Sequence, residues 1–214
     1  VAILSGDYFF AKAFQIVSEM PNMKYLQIFS HIITCLVEGE FMQMEDVYRI
    51  DQGIERYMTK TQKKTADFME GCMELGGLLG GWSESEIVEL KKYGHALGMA
   101  FQITDDIMDY RETTATTGKP VGNDLREGLL TYPLLSIVND DNKDKLLEDI
   151  KALNNGGDEQ AIIDYVIGQG GIDNTLAVAD QYCKDALAAL DAVRDFPGKE
   201  FLVMAVENLA DRKV

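Results

Sequence analysis

The chain has 214 residues, 46% of them hydrophobic and only four of them proline, which is enough apolar material for a substantial core and too much for a disordered chain. A net charge of −16 leaves no surplus of Lys and Arg to displace counterions, which excludes a non-specific nucleic-acid binder. No apolar run approaches the roughly 20 residues that a membrane span needs, so an integral membrane protein is not expected. Three scattered cysteines, Cys35, Cys72 and Cys183, show neither metal-finger spacing nor a disulfide framework, and point to a reducing cytoplasm.

Apolar residues recur at helical spacing almost throughout. The pattern predicts a helix over residues 7–20, closed by Pro21, and a second over 24–45 with Leu26, Phe29, Ile33, Leu36 and Val37 on one side. A third covers 51–79 and dissolves into Gly80-Gly81. Ser83 and Glu86 form a capping-box signature that opens a fourth, reaching about residue 110. Residues 111–123, rich in threonine and glycine, read as a long loop. Shorter helices follow over 130–138 and 143–153, then one ending near 168, a long amphipathic stretch over 174–193, and a last helix from Pro197 to about 212. No alternating pattern of useful length suggests strands. The expectation is one all-α domain over residues 1–214, with about nine helices. The adjacent Phe9 and Phe10 read as core packing or as the wall of a substrate tunnel. No basic start followed by an apolar stretch precedes them, so no secretory signal is expected.

Asp105-Asp106-Ile107-Met108-Asp109, near the end of the fourth helix, is the sharpest feature. Positions 105 and 109 lie one turn apart, about 6 Å along one helix face. Acids this close repel one another, and a helix C-terminus disfavours negative charge. An exposed acidic helix end is the plain alternative, but the apolar approach Met99 to Thr104 argues for a compensating cation. Carboxylate-only ligation suits a hard ion such as magnesium, held jointly by protein and substrate phosphates. The glycine-punctuated segment 118–128 offers Lys119 and Arg126, and Lys63-Lys64-Thr65 adds a cation and a hydroxyl upstream. Magnesium and lysines around a phosphorylated ligand form the electrostatic arrangement that diphosphate departure needs.

These segments carry a resemblance. Gly6-Asp7-Tyr8, Gly39-Glu40 with Gln43, Lys64-Thr65-Ala66, Phe101 to Asp109, and Gly118-Lys119-Pro120 to Gly128 stand in the order seen in trans-polyprenyl diphosphate synthases. The ending Ala210-Asp211-Arg212-Lys213 is similar to that family's C-terminus. The resemblance implies an isoprenoid-synthase-type helical bundle that elongates an allylic diphosphate with isopentenyl diphosphate. It implies that Asp105, Asp106 and Asp109 hold Mg2+, directly or through water, and that Lys64 and Lys119 grip the allylic diphosphate. Thr65 and Gln102 would present oxygen dipoles to the developing cation, and Phe101 and Gln43 would line the substrate region. A homodimer is the implied assembly.

The sequence also departs from that pattern. The family's first aspartate-rich motif precedes the Gly-Asp-Tyr stretch, which here is Gly6-Asp7-Tyr8, so the bundle is expected to be N-terminally incomplete and the chain alone to have little or no synthase activity. Asp140-Asp141 reads as a solvated helix start, not as a substitute for that motif. Leu129 stands where some relatives carry lysine, which argues against a phosphate contact there. A non-catalytic subunit of a heteromeric synthase and a terpene cyclase are the alternatives. The retained Asp105, Asp109, Lys64 and Lys119 speak against the first, and the Lys64-Thr65 and 118–128 segments against the second.

Overall fold

Apolar faces gather around one long central helix in the computed structural model, which describes residues 1–111 and 122–211. The order is α1 (Ala2–Ser18), α2 (Met23–Glu45), α3 (Gly53–Thr61), a π-helical turn (Gln62–Ala66), α4 (Asp67–Leu79) and α5 (Glu84–Arg111). Then come α6 (Asn123–Glu127), α7 (Tyr132–Leu135), α8 (Lys143–Ala152), a 3-10 turn (Leu153–Asn155), α9 (Glu159–Gly168), α10 (Gly171–Asp191) and α11 (Lys199–Asp211). Among the described residues there is no strand, and no helix is long and apolar enough to cross a membrane.

The fourth predicted helix is the centre. It opens with the expected capping box: the Ser83 amide donates to Glu86 Oε2 at 3.2 Å, and the Glu86 amide donates to Ser83 Oγ at 3.4 Å. Its first half (Leu90, Tyr93, Ala96, Ala100) packs into a core shared with Cys183, Ala186 and Leu190 of α10 and Val206 of α11. Its second half (Met99, Ile103, Ile107, Tyr110) packs into another, with Leu125, Leu134, Ile150 and Val166. The alanines of α10 let two backbones approach closely, so α5 is gripped along its whole length before it delivers its acidic end.

The predicted third helix is interrupted. Where one regular helix over 51–79 is expected, Gln62–Ala66 open into a π turn, so the helix widens at Lys63, Lys64 and Thr65. That turn is wedged from two sides. A Cβ at Gly39 of α2 would lie 2.7 Å from the Lys64 backbone nitrogen, and one at Gly98 of α5 would lie 2.6 Å from Ala66 Cα. Glycine at both positions is therefore a matter of size. At the other end of α3, Arg56 binds Asp46 at 2.6 Å and Glu45 at 2.8 Å, tying α3 to the end of α2.

Core packing of Phe9 and Phe10 is not what the structure shows. No residue of α1 is buried, and the two rings are 70% and 44% exposed. An apolar helix face has the same periodicity whether or not another element covers it, so the pattern alone cannot report burial. A helix not predicted, α6, begins at the last residue of the expected loop, within the glycine-punctuated segment. Five helical residues between two glycines are too few to show a period.

Candidate functional site

One cavity of about 280 Å3 collects side chains from six segments of the fold. Gln43 comes from α2, Tyr57, Lys60 and Thr61 from α3, Lys64 and Thr65 from the π turn, Gln102, Asp105 and Asp106 from α5, Asp124 from α6, and Leu129 to Thr131 from the link to α7. Sequence separations of more than eighty residues close here, because the π turn and α5 are held against each other by the Gly98 contact.

A hydrogen-bonded relay forms the floor. The Thr65 hydroxyl donates to Gln102 Oε1 at 3.1 Å, Gln102 Nε2 donates to Asp106 Oδ1 at 3.2 Å, and the Tyr57 hydroxyl donates to Asp106 Oδ2 at 2.5 Å. Each donor fixes the orientation of the next group, and the Thr65 oxygen keeps its lone pairs for another contact. Burial pushes the Asp106 carboxyl up to about 6, against the opposing pull of the Tyr57 and Gln102 bonds. The side chain is 3% exposed.

The acids divide into two roles. Asp105 is exposed on the cavity wall beside Asp106. Asp109 turns elsewhere: its oxygens accept from the backbone amides of Asn123 and Asp124, both at 3.0 Å, so it fastens the start of α6 to α5. That fastening brings Asp124 into the cavity in its place. Burial first, and then the charges of Asp109, Asp106 and Asp105, push the Asp124 carboxyl up to about 7. The segment is braced from the far side, where the Tyr48 amide donates to Gly128 O at 2.8 Å. Gly128 has φ +74°, and a Cβ there would strike the Tyr48 ring at 2.7 Å, so the turn requires glycine twice over. Arg126 pairs with Glu159 of α9.

Of the residues singled out in the sequence, Lys64, Thr65, Gln43, Gln102, Asp105 and Asp106 meet at this cavity. The Lys64 ammonium binds Glu40 at 2.8 Å and Gln43 at 2.9 Å. Phe101 is 37% exposed on α5, outside the cavity wall, and Asp109 sits behind it. Lys119 lies outside the described residues, as do Arg212 and Lys213. Asp140 is an exposed helix-start residue paired with Lys143 at 2.7 Å. Three wall residues escape sequence reasoning. Tyr57 reads as an ordinary core aromatic and Lys60 as a surface charge. Asp124 has a signal, its place in the glycine-bounded segment, but nothing in the sequence says that it lines the cavity.

The donor set suits a hard divalent ion: carboxylate oxygens alone, in a cluster where burial pushes Asp106 and Asp124 up. The cavity of this all-helical bundle thus sets a carboxylate cluster, a lysine and a hydroxyl around one space. The chain belongs to the polyprenyl synthetase family, whose model matches residues 1–168. It is 32% identical over 192 residues to heptaprenyl diphosphate synthase component 2 of Geobacillus stearothermophilus, covering 90% of this chain and 60% of that protein. The crystal structure of a decaprenyl diphosphate synthase from Rhodobacter capsulatus matches with a TM-score of 0.89 at 28% identity, over 99% of this chain and 66% of that one. A polyprenyl synthase from Caulobacter crescentus, complexed with calcium and isoprenyl diphosphate, matches with a TM-score of 0.86 at 30% identity, over 99% and 66%. The chain thus spans about three fifths of the length of the curated relatives it matches.

Proposed function

We propose that the protein carrying this chain is a magnesium-dependent prenyltransferase that extends an allylic diphosphate with isopentenyl diphosphate. The observation that carries the reading is the shared cavity itself, in which three carboxylates, Lys64 and the Thr65–Gln102 relay face one space. The Caulobacter relative, with a divalent cation and an isoprenyl diphosphate bound, supports it.

Asp105, Asp106 and Asp124 are the residues that would hold Mg2+, with Asp109 setting the position of Asp124. A magnesium ion bound there supplies positive charge to the departing diphosphate. Lys64 contacts the diphosphate, exchanging its Glu40 and Gln43 partners for phosphate oxygens, and Lys119 is its proposed companion. As the allylic carbon–oxygen bond breaks, the Thr65 and Gln102 oxygens face the carbon that becomes positive. Tyr57 and Gln102 hold Asp106 still, so little reorganisation accompanies the charge movement. The isopentenyl double bond then forms the new carbon–carbon bond and a proton leaves. By the same family likeness the enzyme works as a cytoplasmic homodimer, and the exposed apolar residues of α1 are compatible with a covered face.

Calorimetric titration of the 214-residue chain with geranyl diphosphate, with and without magnesium, tests the reading. Binding should require the metal, and Lys64→Met or Asp105→Asn should weaken it about tenfold or more, the effect of losing a charge-assisted contact. Absence of any binding in the presence of magnesium sinks the proposal.

A further inference from the structure

Lys60 has no part in the site as read so far, yet its surroundings are costly to leave unexplained. It is only 8% exposed and, among the described residues, has no hydrogen-bond or ion-pair partner. Its ammonium lies over the Tyr57 ring, 5.7 Å from the centroid, a cation–π contact that replaces only part of the lost solvation. Burial lowers its pKa from the usual lysine value, with Asp46 and Asp106 pulling the other way and Lys64 adding to the depression. A mostly buried ammonium with no counter-charge in direct contact carries a desolvation cost that an anion in the cavity would offset.

What it faces is the same cavity. Among the described residues, Lys60 and Lys64 are the two cations in that wall, about one helical turn apart. Lys64 already has Glu40 and Gln43, whereas Lys60 has neither. Among the described residues, the side of the cavity formed by Leu129 and Leu130 offers no positive charge. We infer that Lys60 is a second cationic contact for the diphosphate group bound in this cavity, reaching it from the α3 wall beside Lys64. This rests on the functional reading above and adds to it a residue that reading lacks. The competing role is structural, with the ammonium held only by the charge of Asp46, whose Oδ2 is buried without a hydrogen-bond partner.

Inorganic pyrophosphate, titrated into the 214-residue chain with magnesium, separates the two roles when the ligand-free melting temperature is measured alongside. Lys60→Met should weaken pyrophosphate binding about tenfold while leaving the melting temperature level or higher, since a buried unpaired charge is gone. Lys60→Gln, which keeps polarity without charge, should lose affinity to the same degree and serves if the first variant folds poorly. Affinity within twofold of the unaltered chain in either variant overturns the inference and leaves the functional reading intact. A melting temperature that falls steeply in both variants assigns Lys60 to the fold and also overturns it. Failure of the unaltered chain to bind magnesium pyrophosphate overturns both readings together.

Discussion

Two clusters in this molecule are made from the same kinds of residue and behave in opposite ways. Between α4 and α5, Asp67, Glu70 and His95 bring potential ligand atoms within 4.8 Å of one another, an arrangement that by itself resembles a metal site. Lys91 closes it, 3.3 Å from Glu70 and 2.9 Å from Glu74. The Glu70 carboxyl is accordingly held below its ordinary value, by the His95 contact first and by Lys91 after burial is set against them. In the cavity, Asp106 and Asp124 are pushed the other way, to about 6 and about 7, and Lys60 is pushed down. One cluster answers its own charges. In the other, burial outweighs what the fold supplies. The direction of the shifts, more than the number of acids, sets the candidate site apart.

The largest expected effect comes from breaking the frame that keeps the cavity cluster in place. Gly98→Val puts side-chain carbon where Ala66 Cα already lies within 2.6 Å of a bare Cβ, so the π turn must move away from α5. Overpacking of this kind costs about 3 kcal/mol, or roughly 6–12 °C in melting temperature for a domain of this size. Magnesium-dependent diphosphate binding should fall with it, because Lys64 and Thr65 move relative to Gln102. A variant that melts normally and binds normally would show that the wedge does not position the site.

A smaller effect should follow from the raised acids. Asp106 and Asp124 have folded-state values above their unfolded ones, so their contribution to stability is fully present below about 4 and is lost as pH rises through about 6 and about 7. The ligand-free chain should therefore melt several degrees higher at pH 5.5 than at pH 8, and magnesium should narrow that gap by stabilising the ionised cluster at the higher pH. Asp124→Asn should raise the melting temperature at pH 8 by about 2–4 °C and remove part of the response to magnesium. Carboxyls held low, such as Glu70 and Glu86, titrate below this window and do not blur it. An unchanged pH response in Asp124→Asn would mean that the clustered acids are already compensated within the fold.

The legibility of this site in the sequence followed the range of the signals. The helices, the capping box at Ser83 and the order of the motifs could all be read because periodicity and caps are local. So could the meeting of Lys64, Thr65, Gln102 and Asp105, though only through the resemblance, since nothing local places α5 against the π turn. The π turn itself was not legible, because Gln62 to Ala66 are ordinary helix formers and the widening is imposed by the close approach of Gly39 and Gly98. The turn of Asp109 away from the cavity that Asp124 lines depends on two backbone amides reaching back to α5, a tertiary event with no sequence period. The burial of Lys60 depends on what packs around α3. A lysine in a helical stretch reads as solvated until its neighbours are known.

The smallest predicted effect is the most direct attack on the contrast between the clusters. Lys91→Met removes the internal cation from Glu70 and Glu74, which are partly exposed, so the loss should be no more than about 1 kcal/mol, or roughly 2–4 °C in melting temperature. Magnesium pyrophosphate affinity should not change, because Lys91 lies outside the cavity wall. Yet the Asp67–Glu70–His95 group, deprived of its counter-charge, should now respond to divalent cation as the cavity cluster does, so that magnesium raises the melting temperature of Lys91→Met by more than it raises that of the unaltered chain. If magnesium stabilises both equally, an internal lysine is not what distinguishes a closed acidic cluster from a binding one, and geometry at the ligand atoms must carry the difference instead.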